Sequence, residues 1–205
     1  MSFWRGKREN IVCLSAGTGL GGEIMVGGEL FRGTCGFIGE IRHMTIDPEG
    51  NLCGDGKRGC WETYVSLQAV LRHVRELLPE ASSGKLRDRS REGSISLTFD
   101  EVVLPGSAGD PAALRVMQEE GENLAIGIGN LINIFDPELE VLGRAPNLAS
   151  MFLIPIIESE LKPFVLEPPA QFVLIVSSAH GADTCLMGGI AYMLDDFFSA
   201  SFLQK

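Results

Sequence analysis

The 205-residue sequence contains no apolar run that approaches the roughly 20 residues needed to span a bilayer. Positive charge is also scarce, because 17 Lys and Arg face 27 Asp and Glu, which leaves a formal net charge of -10. This balance argues against direct binding of a nucleic-acid phosphate backbone, and it is also an ordinary feature of a solvated surface. The composition therefore indicates neither a membrane-spanning chain nor a nucleic-acid-binding one.

Cysteine is too rare for a disulfide framework. The five cysteines form an odd number without regular pairing, which is typical of a reducing compartment. The N-terminal MSFWRGKREN has basic residues but no apolar core after them, so it does not match a signal peptide. We therefore expect a cytoplasmic protein. Three cysteines lie in apolar or glycine-rich settings and are predicted to fill the core: Cys13, Cys35 and Cys185.

Familiar catalytic motifs are missing as well. The sequence has no Ser-His-Asp set, no zinc-protease motif and no Walker phosphate loop. Of the three histidines, we interpret His73 as solvated on a helix. His180, in SSAHGAD, lies at a strand-to-helix turn, either as a turn residue or at the edge of a site. The third, His43, belongs to the stretch that carries the functional signal.

Apolar patterning divides the chain, a single unit over residues 1–205, into a hairpin-and-loop part at 10–66 and an α/β remainder at 67–205. The first part predicts a strand at 11–14 and a hairpin of strands 23–26 and 29–31. The spacing then predicts a helix at 61–78, a surface excursion at 80–110, a helix from 110 to about 135, a strand at 139–143, a helix at 151–164, a strand at 172–179 and a helix at 182–198. This alternation is typical of an α/β layered fold with ligands near the strand carboxyl ends.

Glycine is used in two ways. The segment SAGTGLGG follows the first strand, where its glycines allow a tight hairpin or the close approach of a phosphate. Glycine also occurs inside predicted helices, where it lowers helix stability and usually permits close packing: Gly127, Gly129, Gly188 and Gly189.

The stretch GEIRHMTIDPEGNLCGDGKRGCWETYVS, residues 39–66, concentrates chemically versatile side chains. Its candidate functional residues are Glu40, His43, Cys53, Asp55, Cys60 and Glu62. One imidazole, two thiolates and an Asp oxygen at this spacing match the four N, S or O ligands that zinc prefers, although a chance polar loop of this composition is also possible. Two carboxylates are then left to face something other than the metal.

These residues resemble the ROK family, which contains sugar-responsive repressors and sugar kinases. The family pattern is a GTGxG phosphate turn, then GExGH, then CxCGxxGCxE, and the matching segments here are 17–21, 39–43 and 53–62. Two later segments, GIGNLINIFDPELEVLG and SSAHGADTCLMGGIAYML, look like the closing elements of the family. The resemblance implies an α/β fold of the actin-like ATPase (ribonuclease H-like) type, of which this chain is the C-terminal lobe with a zinc-loop insertion.

The resemblance also implies roles for individual residues. Those that match the family's sugar-binding positions are Glu40, His43 and Glu62. Those at the structural zinc positions are His43, Cys53, Asp55 and Cys60. The turn that meets nucleotide phosphates in the kinases is Gly17, Thr18 and Gly19, which makes ATP a cofactor only if the protein is a kinase.

Three positions depart from the family pattern. Asp55 stands where the family has cysteine, and a carboxylate is a harder and weaker zinc ligand than a thiolate. Arg144 replaces the second of two glycines after a strand, where its side chain would either obstruct a nucleotide or turn to solvent. Arg42 replaces a glycine beside His43.

The leading hypothesis is the sugar-binding portion of a ROK transcriptional regulator, and the alternative is a fragment of an ATP-dependent sugar kinase. The family's DxGxT motif, catalytic Asp and winged helix-turn-helix have no match in this sequence, so we expect it neither to phosphorylate a sugar nor to bind operator DNA by itself. A folded relic without function is a third possibility. By resemblance we expect a homodimer, with a surface from the apolar helices at 151–164 and 184–198.

Overall fold

The computed structural model describes residues 8–79, 86, 88, 98–167, 173–183 and 187. The strands in this part of the chain are β1 Ile11–Ala16, β2 Leu20–Val26, β3 Glu29–Leu30, β4 Leu139–Arg144 and β5 Leu174–Ser177. They form one sheet in the order β3-β2-β1-β4-β5. Strands β1, β4 and β5 are parallel, whereas β2 runs antiparallel to β1 and to β3.

The helices in the described residues are α1 Glu62–Val65, α2 Leu67–Leu77, α3 Asp100–Ser107, α4 Pro111–Phe135, α5 Ala145–Leu148 and α6 Ser150–Glu160. Short 3-10 turns occur at Ile41–His43 and Gly181–Asp183. The long helix α4 begins as the sequence predicts, because the Asp110 side chain accepts hydrogen bonds from the Ala112 and Ala113 amides at 3.0 and 3.2 Å. Among the described residues, no helix combines the length and apolarity needed to cross a membrane.

The main core lies between the sheet and its helices. Alternating residues of the central strands point to this side, so that Val12, Leu14 and Leu142 are at most 1% exposed. The opposite face of the sheet carries a smaller apolar cluster that contains Ile11, Leu139 and Val141. Strand β4 is therefore buried on both faces and supports the parallel strands on either side of it.

Trp61 anchors the loop segment to α4. Its side chain is fully buried, and its indole N–H donates to the Asn123 carbonyl at 2.9 Å. A Cβ atom on Gly127 would overlap the indole ring, and one on Gly129 would lie 2.6 Å from the Phe164 Cβ. The prediction that these two helical glycines permit close packing is confirmed, whereas Gly188 and Gly189 lie outside the described residues.

The helix predicted over 61–78 is wrong in one respect, because it is two helices that break at Ser66. Ser66 has the extended angles φ -72° and ψ 154°, and its hydroxyl accepts from the Ala69 amide at 3.2 Å. Ser66 is thus the N-cap residue of α2. The break changes the direction of the chain between the buried Trp61 and the amphipathic α2.

Other predictions need correction. The predicted surface excursion contains α3, in which Val102 is fully buried, and Cys35 is exposed and does not fill the core. His73 is not simply solvated, since its Nε2 lies 2.8 Å from a Glu119 carboxylate oxygen on α4. The predicted helix at 151–164 ends at Glu160, and the strand at 172–179 is confined to Leu174–Ser177. Cys185 and most of the predicted helix at 182–198 lie outside the described residues.

Candidate metal and ligand site

The loop over residues 39–60 folds back on itself through short backbone contacts. Isolated bridges pair Thr45 with Cys60 and Leu52 with Arg58. The Cys53 amide donates to the Lys57 carbonyl at 2.8 Å, which closes a tight turn around Gly56, whose φ is 87°. Glycine is required at this φ because a side chain there would strain the backbone. These turns bring the side chains of His43, Cys53 and Cys60 close together in space.

Four candidate metal ligands converge there. One ligand atom from each of His43, Cys53, Asp55 and Cys60 lies within 4.8 Å of the others. His43 Nδ1 is 3.7 Å from Cys53 Sγ and 3.2 Å from Asp55 Oδ2. Cys60 Sγ lies 3.8 Å from both oxygens of Asp55. The predicted metal ligands are therefore brought together by the fold.

These separations match the edges of a tetrahedral zinc site. With Zn–S bonds near 2.3 Å and Zn–N or Zn–O bonds near 2.1 Å, neighbouring ligand atoms lie roughly 3.3–3.8 Å apart. Both cysteines are buried, whereas the Asp55 side chain remains 21% exposed. The donor set and its geometry fit a structural metal ion, and the side chains of Asp55 and His43 form the partly exposed side of the cluster.

The protonation of the candidate metal ligands depends on whether a cation is bound. Burial, together with hydrogen bonds to Cys60, Asp55 and Glu62, raises the pKa of the Cys53 thiol to about 11. The pKa of Asp55 is lowered, chiefly because the Lys57 amide donates to its carboxylate at 2.9 Å. A bound divalent cation would reverse the shift at Cys53, since a coordinating thiol loses its proton.

Glu62 connects the metal cluster with the glycine turn. The Cys53 thiol donates to Glu62 Oε1 at 3.4 Å. The other oxygen, Oε2, lies 3.4 Å from the place that a Cβ of Gly19 would occupy. The carboxylate at the start of α1 is thus positioned by a cluster residue and faces the turn at Gly17–Thr18–Gly19.

Arg42 joins the two other predicted sugar-binding residues. Its Nε donates to His43 Nε2 at 3.0 Å and lies 2.8 Å from Glu40 Oε2. The ring nitrogen of His43 that does not face the metal cluster is therefore engaged by Arg42. Arg42, at a position that departs from the family pattern, thus contacts the nitrogen of His43 that would otherwise face a sugar hydroxyl.

The glycine turn has a second neighbour in Arg144. A Cβ on Gly17 would lie 3.3 Å from Arg144 Nε and 3.4 Å from its Cζ, so the side chain lies against the turn and does not turn away from it. The parallel register pairs Ala16 with Arg144, which explains how positions so far apart in sequence become adjacent. Arg144 has φ 58° and ψ -122°, a conformation suited to glycine.

One buried group was missed by the sequence interpretation. Glu140, in the middle of β4, is fully buried, and neither carboxylate oxygen has a hydrogen-bond partner among the residues that the structure describes. Burial raises its pKa well above the ordinary value, which favours the neutral carboxyl. The signal in the sequence was a single Glu within the apolar run LEVLG.

Comparison with known proteins identifies the family to which this chain belongs. The family model of the ROK family matches residues 4–196. A xylose repressor of Caldicellulosiruptor bescii is 34% identical over 149 residues, which are 72% of this chain and 36% of the repressor. The chain belongs to the ROK family.

Solved structures support the same assignment. A ROK family transcriptional regulator, described as a homolog of the E. coli MLC protein, superposes with a TM-score of 0.75 at 31% identity, over 82% of this chain and 41% of that one. A ROK glucokinase from Streptomyces griseus, in complex with glucose and AMPPNP, superposes with a TM-score of 0.74 at 26% identity, over 86% and 58%. The predicted actin-like ATPase fold with a mixed α/β sheet is confirmed. The chain spans between about a third and three fifths of the length of these relatives.

Proposed function

We propose that this chain is the sugar-binding portion of a ROK transcriptional regulator, in which Glu40, His43 and Glu62 hydrogen-bond the hydroxyls of a sugar. The observation that carries the proposal is the position of Glu62, which begins α1 directly after the cluster residue Cys60 and Trp61 and whose Oε2 faces the glycine turn. Carboxylates accept strong hydrogen bonds from hydroxyl groups, and a rigid support lowers the entropy lost on binding.

Zinc is the proposed structural metal. His43, Cys53, Asp55 and Cys60 would hold it, and the ion would fix the loop so that Glu62 keeps its position. The burial of Cys53 and Cys60 and the convergence of one ligand atom from each of the four residues within 4.8 Å support this assignment. Zinc on Nδ1 would leave the imidazole proton on Nε2, so Arg42, whose Nε lies 3.0 Å from Nε2, would have to release that nitrogen before it could donate to a sugar hydroxyl.

Two observations favour a regulator over a kinase. The relatives include xylose repressors, one of which is 34% identical to this chain. The Arg144 side chain also lies against Gly17, on the turn that a kinase would need for nucleotide phosphates. A sugar would shift the population between two states of the intact regulator, and that shift would change its affinity for operator DNA. We further propose a cytoplasmic homodimer.

Isothermal titration with xylose and glucose tests the sugar site. We expect Glu62→Gln to weaken sugar binding by about tenfold or more, because a charge-assisted hydrogen bond is lost while the shape is kept. Glu76→Gln is the matched control, since Glu76 is exposed on α2, outside the candidate site, and pairs with Arg72 at 3.9 Å. Absence of sugar binding, or equal affinities in all three proteins, would contradict the proposal.

A ROK sugar kinase remains the second candidate, because the Gly17–Thr18–Gly19 turn is present and a glucokinase shares the fold. Two assays on the intact protein separate the candidates. A regulator releases operator DNA when sugar is added and produces no ADP. A kinase releases ADP in a coupled assay when both sugar and ATP are supplied.

A further inference from the structure

The short 3-10 turn that carries Arg42 is fixed against strand β2. A Cβ atom on Gly22 would overlap the Ile41 side chain, so the two segments are in close contact. The His43 amide donates to the Glu40 carbonyl at 3.1 Å, which closes the turn. Arg42 is therefore attached to a backbone that is held in place between the two predicted sugar-binding residues.

One N–H group of Arg42 serves both of these residues. Its Nε lies 2.8 Å from Glu40 Oε2 and 3.0 Å from His43 Nε2. Because one hydrogen cannot point at two acceptors at once, at least one of these hydrogen bonds is poorly aligned. Two hydroxyl groups of a ligand would give each acceptor a donor of its own.

The contact is also open to water. The side chains of Arg42 and Glu40 are 41% and 44% exposed. An ion pair at this exposure contributes little free energy, because solvent screens the charges and two long side chains lose freedom. The arginine side chain can therefore leave both residues at a small cost in free energy.

We propose that Arg42 is an autoinhibitory latch of the sugar site, in which the guanidinium holds Glu40 and His43 until a sugar displaces it into solvent. This inference rests on the proposed sugar-binding function. Arginine and sugar compete for the same acceptor atoms, so the apparent dissociation constant rises as the fraction of unlatched protein falls. Since the contact is weak, the latch lowers sugar affinity without preventing binding.

A metal ion in the cluster would weaken the latch. Arg42 donates to His43 Nε2 only while that nitrogen carries no proton. Zinc on Nδ1 places the ring proton on Nε2, which leaves Arg42 paired with Glu40 alone. Filling of the metal cluster and binding of sugar would then favour each other, since both release the same arginine.

Isothermal titration with xylose and glucose measures the latch. We expect Arg42→Ala to bind sugar about two- to fivefold more tightly than the wild-type protein, because an exposed ion pair no longer competes. Arg42→Gly, which restores the residue of the family pattern, should give a gain in the same direction. Arg75→Ala is the matched control, since it removes the same charge from an exposed position on α2 and should leave the affinity unchanged.

The imidazole nitrogen shifts of His43, measured by NMR, give a readout that does not depend on affinity. In the ligand-free protein, Arg42→Ala should move the Nε2 resonance of His43 and leave that of His73 in place. Addition of sugar to the wild-type protein should move the His43 resonance as well. A His43 resonance that is the same with and without Arg42 would overturn the latch.

The titrations separate the latch from the sugar site itself. Equal sugar affinity in the wild-type protein and Arg42→Ala would overturn the latch and leave the proposed sugar site intact. Weaker binding by Arg42→Ala would overturn it too, by showing that the arginine contacts the sugar. Absence of binding by all variants would overturn the proposed function and, with it, the competition.

Coupling to the metal has its own measurement. In competition with a chromophoric chelator, sugar should raise the zinc affinity of the wild-type protein, and by less in Arg42→Ala. An equal rise in both proteins would show that the latch is not linked to the metal.

Discussion

The loop over residues 39–60 and strand β4 differ in how their unusual residues are accommodated. In the loop, Asp55 and Arg42 depart from the family motif that the sequence resembles, and each has at least two polar partners within 4 Å. In β4, Glu140 is buried without a hydrogen-bond partner in the described part of the chain, and Arg144 ends the strand in a strained conformation. Loops adjust their backbone to satisfy a new polar group, whereas a central strand has its register set by two neighbours.

The largest expected effect concerns the cluster itself. We expect Cys60→Ala to abolish stoichiometric zinc binding, because a buried thiolate ligand is removed. Metal content of the purified protein measured by plasma mass spectrometry checks this. Cys35→Ala is the control, since Cys35 is exposed and lies outside the cluster. Equal metal content in all three proteins would show that the four side chains do not form the zinc site.

The next prediction concerns Asp55, the oxygen donor among the four candidate metal-binding residues. Asp55→Cys should raise zinc affinity by roughly tenfold or more, since a thiolate is a softer and stronger ligand for zinc than a carboxylate. Competition with a chromophoric chelator measures the change. Asp47→Asn, in the same loop but outside the cluster, should leave the affinity unaltered. Weaker binding by Asp55→Cys would mean that the carboxylate supplies geometry that cysteine cannot.

In β4, Glu140→Val should raise the free energy of unfolding by about 1–3 kcal/mol, because an unpartnered buried carboxyl is replaced by an apolar side chain of similar size. The raised pKa makes the effect depend on pH. Below the unfolded-state pKa of about 4.3, the Glu140 carboxyl is neutral in both the folded and the unfolded state, and the folded state loses no free energy of unfolding through it. As pH rises from the unfolded-state pKa to the raised folded-state pKa, the free energy of unfolding falls, because in this range Glu140 ionises in the unfolded chain and not in the folded one.

Urea unfolding between pH 4 and pH 8 measures this dependence, and the gain from Glu140→Val should grow with pH. Glu138→Gln gives the opposite case. The Glu138 carboxylate accepts from the Glu9 and Asn10 amides at 2.8 and 3.2 Å, which lowers its pKa. Its stabilising contribution is therefore present above the unfolded-state pKa and lost as pH falls. A gain from Glu140→Val that does not change with pH would show that Glu140 is not buried as a neutral acid.

The smallest expected effect is at the end of β4. Arg144→Gly should stabilise the fold by about 1 kcal/mol, because glycine adopts the required angles without strain. Arg144→Ala keeps the strain and should give no comparable gain. Thermal unfolding measures the stability of the two variants. Equal stabilities would show that the Arg144 side chain, and not the backbone conformation, destabilises the fold.

Sequence reasoning predicted the local features well. The spacing of His43, Cys53, Asp55 and Cys60 predicted the cluster, because a short loop with glycine turns can bring together only residues that are near in sequence. The start of α4 at Asp110-Pro111 and the strand at 139–143 were also predicted, since capping chemistry and an apolar run are local signals. The break at Ser66 was missed because the apolar period continues through it.

The sequence by itself determined the family, the candidate metal donors and the glycine turn, since each depends on residue types at short spacing. Only the tertiary structure decided where Glu62 and Arg144 lie relative to that turn. The parallel pairing of β1 with β4 brings Arg144 onto Gly17 from a distant part of the chain, and the fold of the loop turns Cys53 toward Glu62. Such contacts depend on strand register and helix packing, which short motifs do not encode.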